Sequence, residues 1–358
     1  MKVQTVLLQS MVSKAVKGCS NNKMLPMTSV MAVSCADGKL TLITTDMTNY
    51  LYVSEDANTD EDFYVTVRAD MFTKLIMSIT SETVTFEMTD KYLEVKGNGV
   101  YKIDVILDEN GGMIKFPDFE PSDTAVGNVP TTVVHTMLSA LKPALSKDVV
   151  TPCYTNYFVG DTVIATNMEV INMLNTKLLN TEEPLFISSE LMDLVGLCTD
   201  EVIDVRYEDG VIDFITNSVK IHGTLFEYAE QYQTDDINEV AKNEYPSQCS
   251  VNKNVLLQTL DRIALFTDDE FSDNAVNIKF TADGLTIESP MSNGVETIEY
   301  VTSDHDEDFS GTIDAVALKD QIRPYSAEHV EILYGREDSI KLVQDEQNFV
   351  SIIGLIVE

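Results

Sequence analysis

Val6-Leu7-Leu8-Gln9-Ser10-Met11, near the start of the chain, returns late as Val255-Leu256-Leu257-Gln258-Thr259-Leu260. A second phrase, Asp37-Gly38-Lys39-Leu40-Thr41-Leu42, returns as Asp283-Gly284-Leu285-Thr286-Ile287. Between them Gly160-Asp161-Thr162-Val163-Ile164-Ala165-Thr166 is a weaker echo of Gly38 through Thr45. The aligned positions Leu42, Val163 and Ile287 lie 121 and then 124 residues apart. Solenoid units recur every ~20–50 residues, so this period is that of a whole domain. The 358 residues read as three copies of one domain, a geometry used as geometry.

Each copy carries the same order of signals. An amphipathic helix comes first, at 6–18, about 129–147 and 252–265. Leu7, Leu8, Met11, Val12 and Ala15 form the apolar stripe in copy one, as do Leu256, Leu257, Leu260, Ile263 and Ala264 in copy three. Two strands follow, joined by a tight Asp-Gly turn. The alternation in Lys39-Leu40-Thr41-Leu42-Ile43-Thr44 fits a half-buried strand. A second helix is expected at 69–80, 188–196 and 314–325, and about three strands close each copy. Phe116-Pro117-Asp118-Phe119-Glu120-Pro121 and Glu244-Tyr245-Pro246-Ser247 punctuate the linkers. The expected domains are 1–125, 126–246 and 247–358, each an α+β unit of antiparallel sheet with helices on one face.

A hydrophobic content of 44% supports real cores despite the charge. No apolar run approaches the ~18 residues of a membrane span. Met1-Lys2-Val3-Gln4 lacks the layout of a signal peptide, so a cytoplasmic protein is expected. Cys19, Cys35, Cys153, Cys198 and Cys249 are odd in number, scattered and without a CxxC pair, which suggests buried thiols. His135, His222, His305 and His329 have no ligand spacing. Neither a metal nor a cofactor is expected.

Fifty-nine acidic and 24 basic residues leave a net charge of −35, which taken alone argues against nucleic acid. The distribution argues otherwise. The six expected helices hold nine of the basic residues: Lys14, Lys17, Lys74, Lys142, Lys147, Lys253, Arg262, Lys319 and Arg323. They hold six of the acidic ones, Asp70, Glu190, Asp193, Asp261, Asp314 and Asp320, for a net of +3 against −38 elsewhere. Lys and Arg are good helix formers, but so is Glu, which is nearly absent here. At ~0.15 M salt the Debye length is ~8 Å, so helix-borne lysines attract a nearby phosphate in spite of distant carboxylates.

No GxxxxGK[ST], GxGxxG after a strand, GxSxG or HExxH occurs. The acidic runs Asp60-Glu61-Asp62, Thr267-Asp268-Asp269-Glu270 and Asp304-His305-Asp306-Glu307-Asp308 fall in expected loops without EF-hand spacing. Nothing in the sequence supports catalysis.

Three tandem α+β repeats with acid-poor helices resemble the bacterial DNA polymerase III β subunit family, the sliding clamps. Leu25-Pro26-Met27-Thr28-Ser29-Val30 and Asp37-Gly38-Lys39-Leu40-Thr41-Leu42-Ile43-Thr44-Thr45-Asp46 are similar to that family's "LPIL-x-x-V … DGKLxLxATD". Phe116-Pro117, Tyr245-Pro246 and Leu256 to Arg262 resemble further family phrases, so the likeness runs along the whole chain. It implies a non-catalytic processivity factor: a head-to-tail homodimer ring with sheets outside and helices lining the hole around double-stranded DNA. The nine basic residues would then face the DNA. Tyr101, Ile103, Leu265 and Phe266 match dimer-interface positions. The family docks clamp-binding peptides of polymerase and clamp loader in a hydrophobic pocket. Its positions fall here on Tyr154, Thr166, Met168, Val170, Ile171, Pro246, Val251, Val350 and Ile352. Two departures stand there: "TDGHRL" appears as Thr166-Asn167-Met168-Glu169-Val170-Ile171, and the closing "MPMRL" as Ile352-Ile353-Gly354-Leu355-Ile356. Such drift suits a phage or mobile-element clamp. The rival readings are an acidic DNA mimic that binds basic partners, which leaves the acid-poor helices unexplained, and an enzyme with a cryptic site.

Overall fold

Short alternating strands and tight turns build this chain from antiparallel meanders. The structure, a computed structural model, describes every residue except 21–23, 58–61, 90, 149, 229, 268–273, 345–347, 357 and 358. The first repeat holds β1 (Lys2–Gln4), α1 (Thr5–Ala15), β2 (Val30–Ala36), β3 (Lys39–Thr45), β4 (Asn49–Asp56) and β5 (Phe63–Arg68). It continues with α2 (Ala69–Ser78), β6 (Thr83–Met88), β7 (Tyr92–Lys96) and β8 (Val100–Asp104). The second holds β9 (Ala125–Pro130), α3 (Thr131–Thr136), β10 (Asn156–Val159), β11 (Val163–Thr166), β12 (Val170–Leu174) and β13 (Leu185–Ser188). After these come α4 (Ser189–Val195), β14 (Val202–Glu208), β15 (Val211–Ile215), β16 (Val219–Thr224) and a further helix, α5 (Thr234–Ala241). The third holds β17 (Ser247–Asn252), α6 (Lys253–Ala264), β18 (Ala275–Thr281), β19 (Gly284–Glu288), β20 (Val295–Ile298), β21 (Thr302–Asp304) and β22 (Phe309–Asp314). It ends with α7 (Ala315–Ile322), β23 (His329–Tyr334), β24 (Ser339–Gln344) and β25 (Phe349–Gly354).

The chain divides into two compact units, residues 1–134 with 190–226, and 135–189 with 227–358. The first carries a four-stranded sheet, β1-β6-β7-β8, and an eight-stranded one, β5-β2-β3-β4-β16-β15-β14-β9. The second carries a four-stranded sheet, β20-β19-β18-β22, and a nine-stranded one, β13-β10-β11-β12-β25-β24-β23-β17-β21. In both large sheets the fourth strand of one meander pairs antiparallel with the last strand of another. Leu51 lies opposite Ile221 at the β4–β16 junction, and Ile171 opposite Ile352 at β12–β25.

The repetition extends to individual hydrogen bonds. Thr45 Oγ1 donates to Asn49 O and accepts from Met47 N, while Asp46 Oδ1 accepts from Thr48 N and Asn49 N. In the second repeat Thr166 Oγ1 donates to Val170 O and accepts from Met168 N, and Asn167 Oδ1 accepts from Glu169 N and Val170 N. Both turns put a methionine at positive φ, 82° at Met47 and 76° at Met168. Asp37 and Gly38 take φ of 49° and 71°, the left-handed pair of a type I′ hairpin. Gly284 is fixed by space instead: a Cβ there would lie 2.5 Å from Ile298 O.

The helices agree with the sequence apart from two places. The stretch expected as one helix over 129–147 is a strand end, a six-residue α-helix, a π turn over Met137–Leu141 and a 3-10 turn over Lys142–Ala144. Pro143 stands in that last turn, where it supplies no N–H to an α-helical ladder. The second difference is α5, which lies in the segment expected to be a linker. No helix among the described residues is long and apolar enough to cross a membrane. Cys35, Cys153, Cys198 and Cys249 are buried, Cys19 half-buried, and all five are free. Burial pushes the thiols of Cys19, Cys198 and Cys249 up to about 12, so they stay protonated and inert.

Asn172 ties the nine-stranded sheet to its helical face: its Nδ2 donates to Ala140 O at 2.6 Å and to Gln321 Oε1 at 2.5 Å. Asn172→Ala leaves both acceptors buried without that donor. It should cost about 2 kcal/mol, seen as a lower urea midpoint with the m-value unchanged.

Candidate nucleic-acid and partner-peptide surfaces

The helix cations divide by what already holds them. α1 buries Thr5, Leu8, Met11, Val12 and Ala15, which leaves Lys14 half-buried and Lys17 exposed. Lys74 and Lys147 are exposed, and Lys142 is half-buried. Lys14 Nζ reaches Thr199 Oγ1 at 3.5 Å. In the third repeat the cations have internal partners. Lys253 Nζ donates to Arg323 O at 3.0 Å and also to Tyr325 O, closing the end of α7. Lys319 is buried and pairs with Asp261 at 3.0 Å. Arg323 pairs with Asp320 at 2.7 Å. Arg262 grips Glu296 with two bonds, Nε to Oε1 at 2.7 Å and Nη2 to Oε2 at 2.6 Å. The guanidinium, helped by the Thr259 hydroxyl, holds the Glu296 carboxyl below its ordinary value.

Of the helix acids, Asp261 and Asp320 belong to those pairs. Asp314 caps α7, accepting from Val316 N and Ala317 N, and Asp70 pairs with Arg68 at 3.0 Å. Lys17, Lys74 and Lys147 project into solvent. Lys253 and Lys319 serve the fold first.

The nine residues expected to shape a peptide pocket lie in the second unit and separate by sheet face. Ile171, Met173, Val350 and Ile352 share one face of the β12–β25 junction, because Ile171 opposes Ile352 and Met173 opposes Val350. Val170 belongs to the other face with Asn172, Ser351 and Ile353. The first face is covered. Tyr154, Ile164, Ile171, Met173 and Ile352 form a buried cluster with Phe158, Phe186, Tyr232 and Ile237, against which Tyr228, Val240, Ala241 and Val350 pack. The structure thus brings Tyr154, Ile171, Val350 and Ile352 together, beneath α5. Thr166 and Val251 are buried, while Met168 and Pro246 are exposed. Met168 and Val170 line a separate groove of about 770 Å³ with Pro290, Ala317, Leu355 and Ile356.

Sequence reading missed three residues here. Tyr232 stacks on Phe158 with ring centroids 5.3 Å apart and 10° between planes. Ile237 is α5's fully buried anchor. Lys341 Nζ donates to Ala241 O at 3.1 Å, at the C-terminal end of α5. Burial lowers the Lys341 ammonium below its ordinary value. Only the spacing of Tyr232, Ile237 and Val240 within an acidic stretch hinted at a helix.

Of the expected interface residues, Tyr101 is exposed on the edge strand β8, and Leu265 and Phe266 are exposed just beyond α6. Ile103 points inward and is 1% exposed. Among the described residues no group of His, Cys, Asp and Glu is arranged to hold a metal ion. His305 in the last acidic run bonds Tyr334 Oη and Asp308 instead. Asp60, Glu61, Asp268, Asp269 and Glu270 lie outside the described residues.

Meanders joined edge to edge, with amphipathic helices on one face, define the fold of the sliding clamps. The beta subunit from the DNA polymerase of Streptococcus pyogenes has that fold at a TM-score of 0.88 and 15% identity, covering 100% of this chain and 99% of that one. The DNA polymerase sliding clamp from Bacillus subtilis (0.86, 15%, 100% and 98%) is similar. So is the DNA polymerase III beta subunit from Thermotoga maritima (0.85, 16%, 100% and 99%). Residues 1–110 match the family described as DNA polymerase III beta subunit, N-terminal domain. No curated protein matches the chain. The resemblance read from the motifs holds: the first 110 residues carry that family's N-terminal domain, and the whole chain has the clamp fold.

Because Arg262 is held by Glu296, Glu296→Gln should release it. Binding to duplex DNA should then strengthen, and the slope of log K against log[salt] should steepen by about 0.9 for the one added phosphate contact. An unchanged slope would mean that Arg262 faces no phosphate.

Proposed function

We propose that this protein is a DNA sliding clamp, a non-catalytic processivity factor. Two copies close head to tail into a ring around double-stranded DNA and hold a polymerase, and the clamp loader, through a hydrophobic peptide pocket. The chain then comprises three clamp domains at 1–125, 126–246 and 247–358, and works in the cytoplasm with the replication machinery.

The observation that carries this reading is the order of strands. At the two internal junctions a fourth meander strand, β4 or β12, meets a closing strand, β16 or β25. The two small sheets hold the unmatched halves of a third such junction: β8 occupies the place of β16 and β25, and β20 that of β4 and β12. Within one chain β8 and β20 are both edges, and Val100 on β8 is 61% exposed. An unpaired edge is a template for another strand. Two copies related head to tail would pair β8 with β20 at both joints, the condition for closure into a ring. Leu265, 77% exposed, and Phe266, whose ring lies beside Gly294 at the entry to β20, would be covered at that joint.

The charge pattern fits the same arrangement. Lys17, Lys74 and Lys147, with Lys14, Lys142, Arg262 and Arg323 near them in role, would meet phosphates without reading bases. The large acidic remainder would face away from the DNA. An acidic mimic of DNA would need no recurring strand junction and no acid-poor helices. Tethering would act through effective concentration, because a held polymerase cannot diffuse from its template.

Two outcomes are expected. After loading, the protein should stay on circular DNA and run off the same DNA once linearised; release that ignores topology would contradict encirclement. Leu265→Asp with Phe266→Asp should convert a dimer near twice 39.8 kDa to a monomer by sedimentation, with the far-ultraviolet spectrum preserved.

A further inference from the structure

The face expected to receive partner peptides already has an occupant from the same chain. We propose that α5 is a displaceable plug: an intramolecular peptide seated on the partner site, which a partner's apolar segment must unseat in order to bind. This deepens the proposed function and rests on the reading of the β12–β25 face as the partner site.

Several observations support seating. α5 is amphipathic, with Ile237 2% exposed against the cluster and Val240 and Ala241 packed beside it, while Asp235, Asp236 and Glu239 face solvent. An amphipathic helix laid in an apolar groove is a common mode of peptide recognition. The groove supplies a cation where the helix needs one, since Lys341 Nζ bonds Ala241 O at the negative end of the helix. Register places Lys341 opposite Ile352, on the same face of the sheet as the apolar contacts.

Other observations support release. α5 has eight residues, below the ~12–15 at which isolated helices become marginal, so it persists only while docked. Its N-cap residue, Gln233, makes no side-chain capping bond. A single side chain of the helix, Ile237, is fully buried. The neighbouring anchor Tyr232 is buried with its hydroxyl lacking a hydrogen-bond partner, which weakens the closed state. The sheet beneath has its own extensive pairing and does not depend on α5 for its hydrogen bonds.

The test uses the full chain and a fluorescein-labelled synthetic peptide of residues 226–244. A tethered segment has an effective concentration on the order of mM, so a plug seated nine-tenths of the time implies a Kd near ~0.1 mM for the free peptide. The Ile237→Asp chain, with its own helix unseated, should bind the probe at that level or tighter, and the wild-type chain at least ~10-fold more weakly. Equal binding to both chains, or none to Ile237→Asp at mM probe, would overturn the proposal. So would loss of cooperative unfolding in Ile237→Asp, because α5 would then be a fixed part of the core. Native-state amide exchange gives a second reading on the wild type. The amides of 237–243 should open at least ~10-fold more often than those of β12 and β25; equal rates would also overturn it. Neither measurement involves DNA, so failure of the plug and failure of encirclement are told apart.

Discussion

The antiparallel pairing of β4 with β16, repeated as β12 with β25, is the constraint on which the rest of the structure depends. Each junction converts two sheet edges into a continuous ladder, so repeats are joined by backbone hydrogen bonds rather than by side-chain complementarity alone. Register does further work. A slip of β12 by one residue against β25 would carry Ile171 and Met173 to the face of Ser351 and bring Asn172 to that of Ile352, mixing the apolar and polar surfaces. The buried amide of Asn172, bonded to Ala140 O and Gln321 Oε1, tolerates one register only.

A scarcity of cations shapes the surfaces. With 24 basic residues against 59 acidic ones, every internal ion pair removes a group from any encounter with phosphate. Lys253 and Lys319 secure α6 and α7, and Arg262 and Arg323 are held by carboxylates. In the first repeat Lys17 and Lys74 remain exposed. On the proposed reading as a clamp, weak and exchangeable contacts are an advantage, since tight phosphate binding would oppose sliding. The modest supply of exposed lysines is consistent with that requirement.

Much of this architecture was legible in the sequence. The repeated Val-Leu-Leu-Gln phrases became α1 and α6, and Asp37-Gly38 became the left-handed hairpin turn it encodes. The echo ending at Thr166 proved to be the same hydrogen-bonded turn as that at Thr45, although one bears Asp46 and the other Asn167. Side-chain oxygens define the turn, and either residue supplies one. Two features were hidden for physical reasons. Pro143 interrupts a sequence whose apolar spacing otherwise continues, so the periodicity overran the α-helix. α5 carries three acidic residues in eight and gains its helicity from Ile237 docking on a sheet far away in sequence, so the sparse apolar spacing of Tyr232, Ile237 and Val240 was too weak a local signal. The expected pocket positions Tyr154, Ile171, Val350 and Ile352 do converge, but what covers them was not readable from their own identities.

The central claim is that β8 of one copy completes the sheet of β20 in another. Amide exchange across a dilution series measures this directly. The account predicts that the outward amides of β8 and β20 are protected at high concentration and lose protection together as the mass falls to that of one chain, while β4, β12, β16 and β25 stay protected throughout. Exchange at β8 and β20 that is fast at every concentration, in a sample whose mass is that of a dimer, would contradict it.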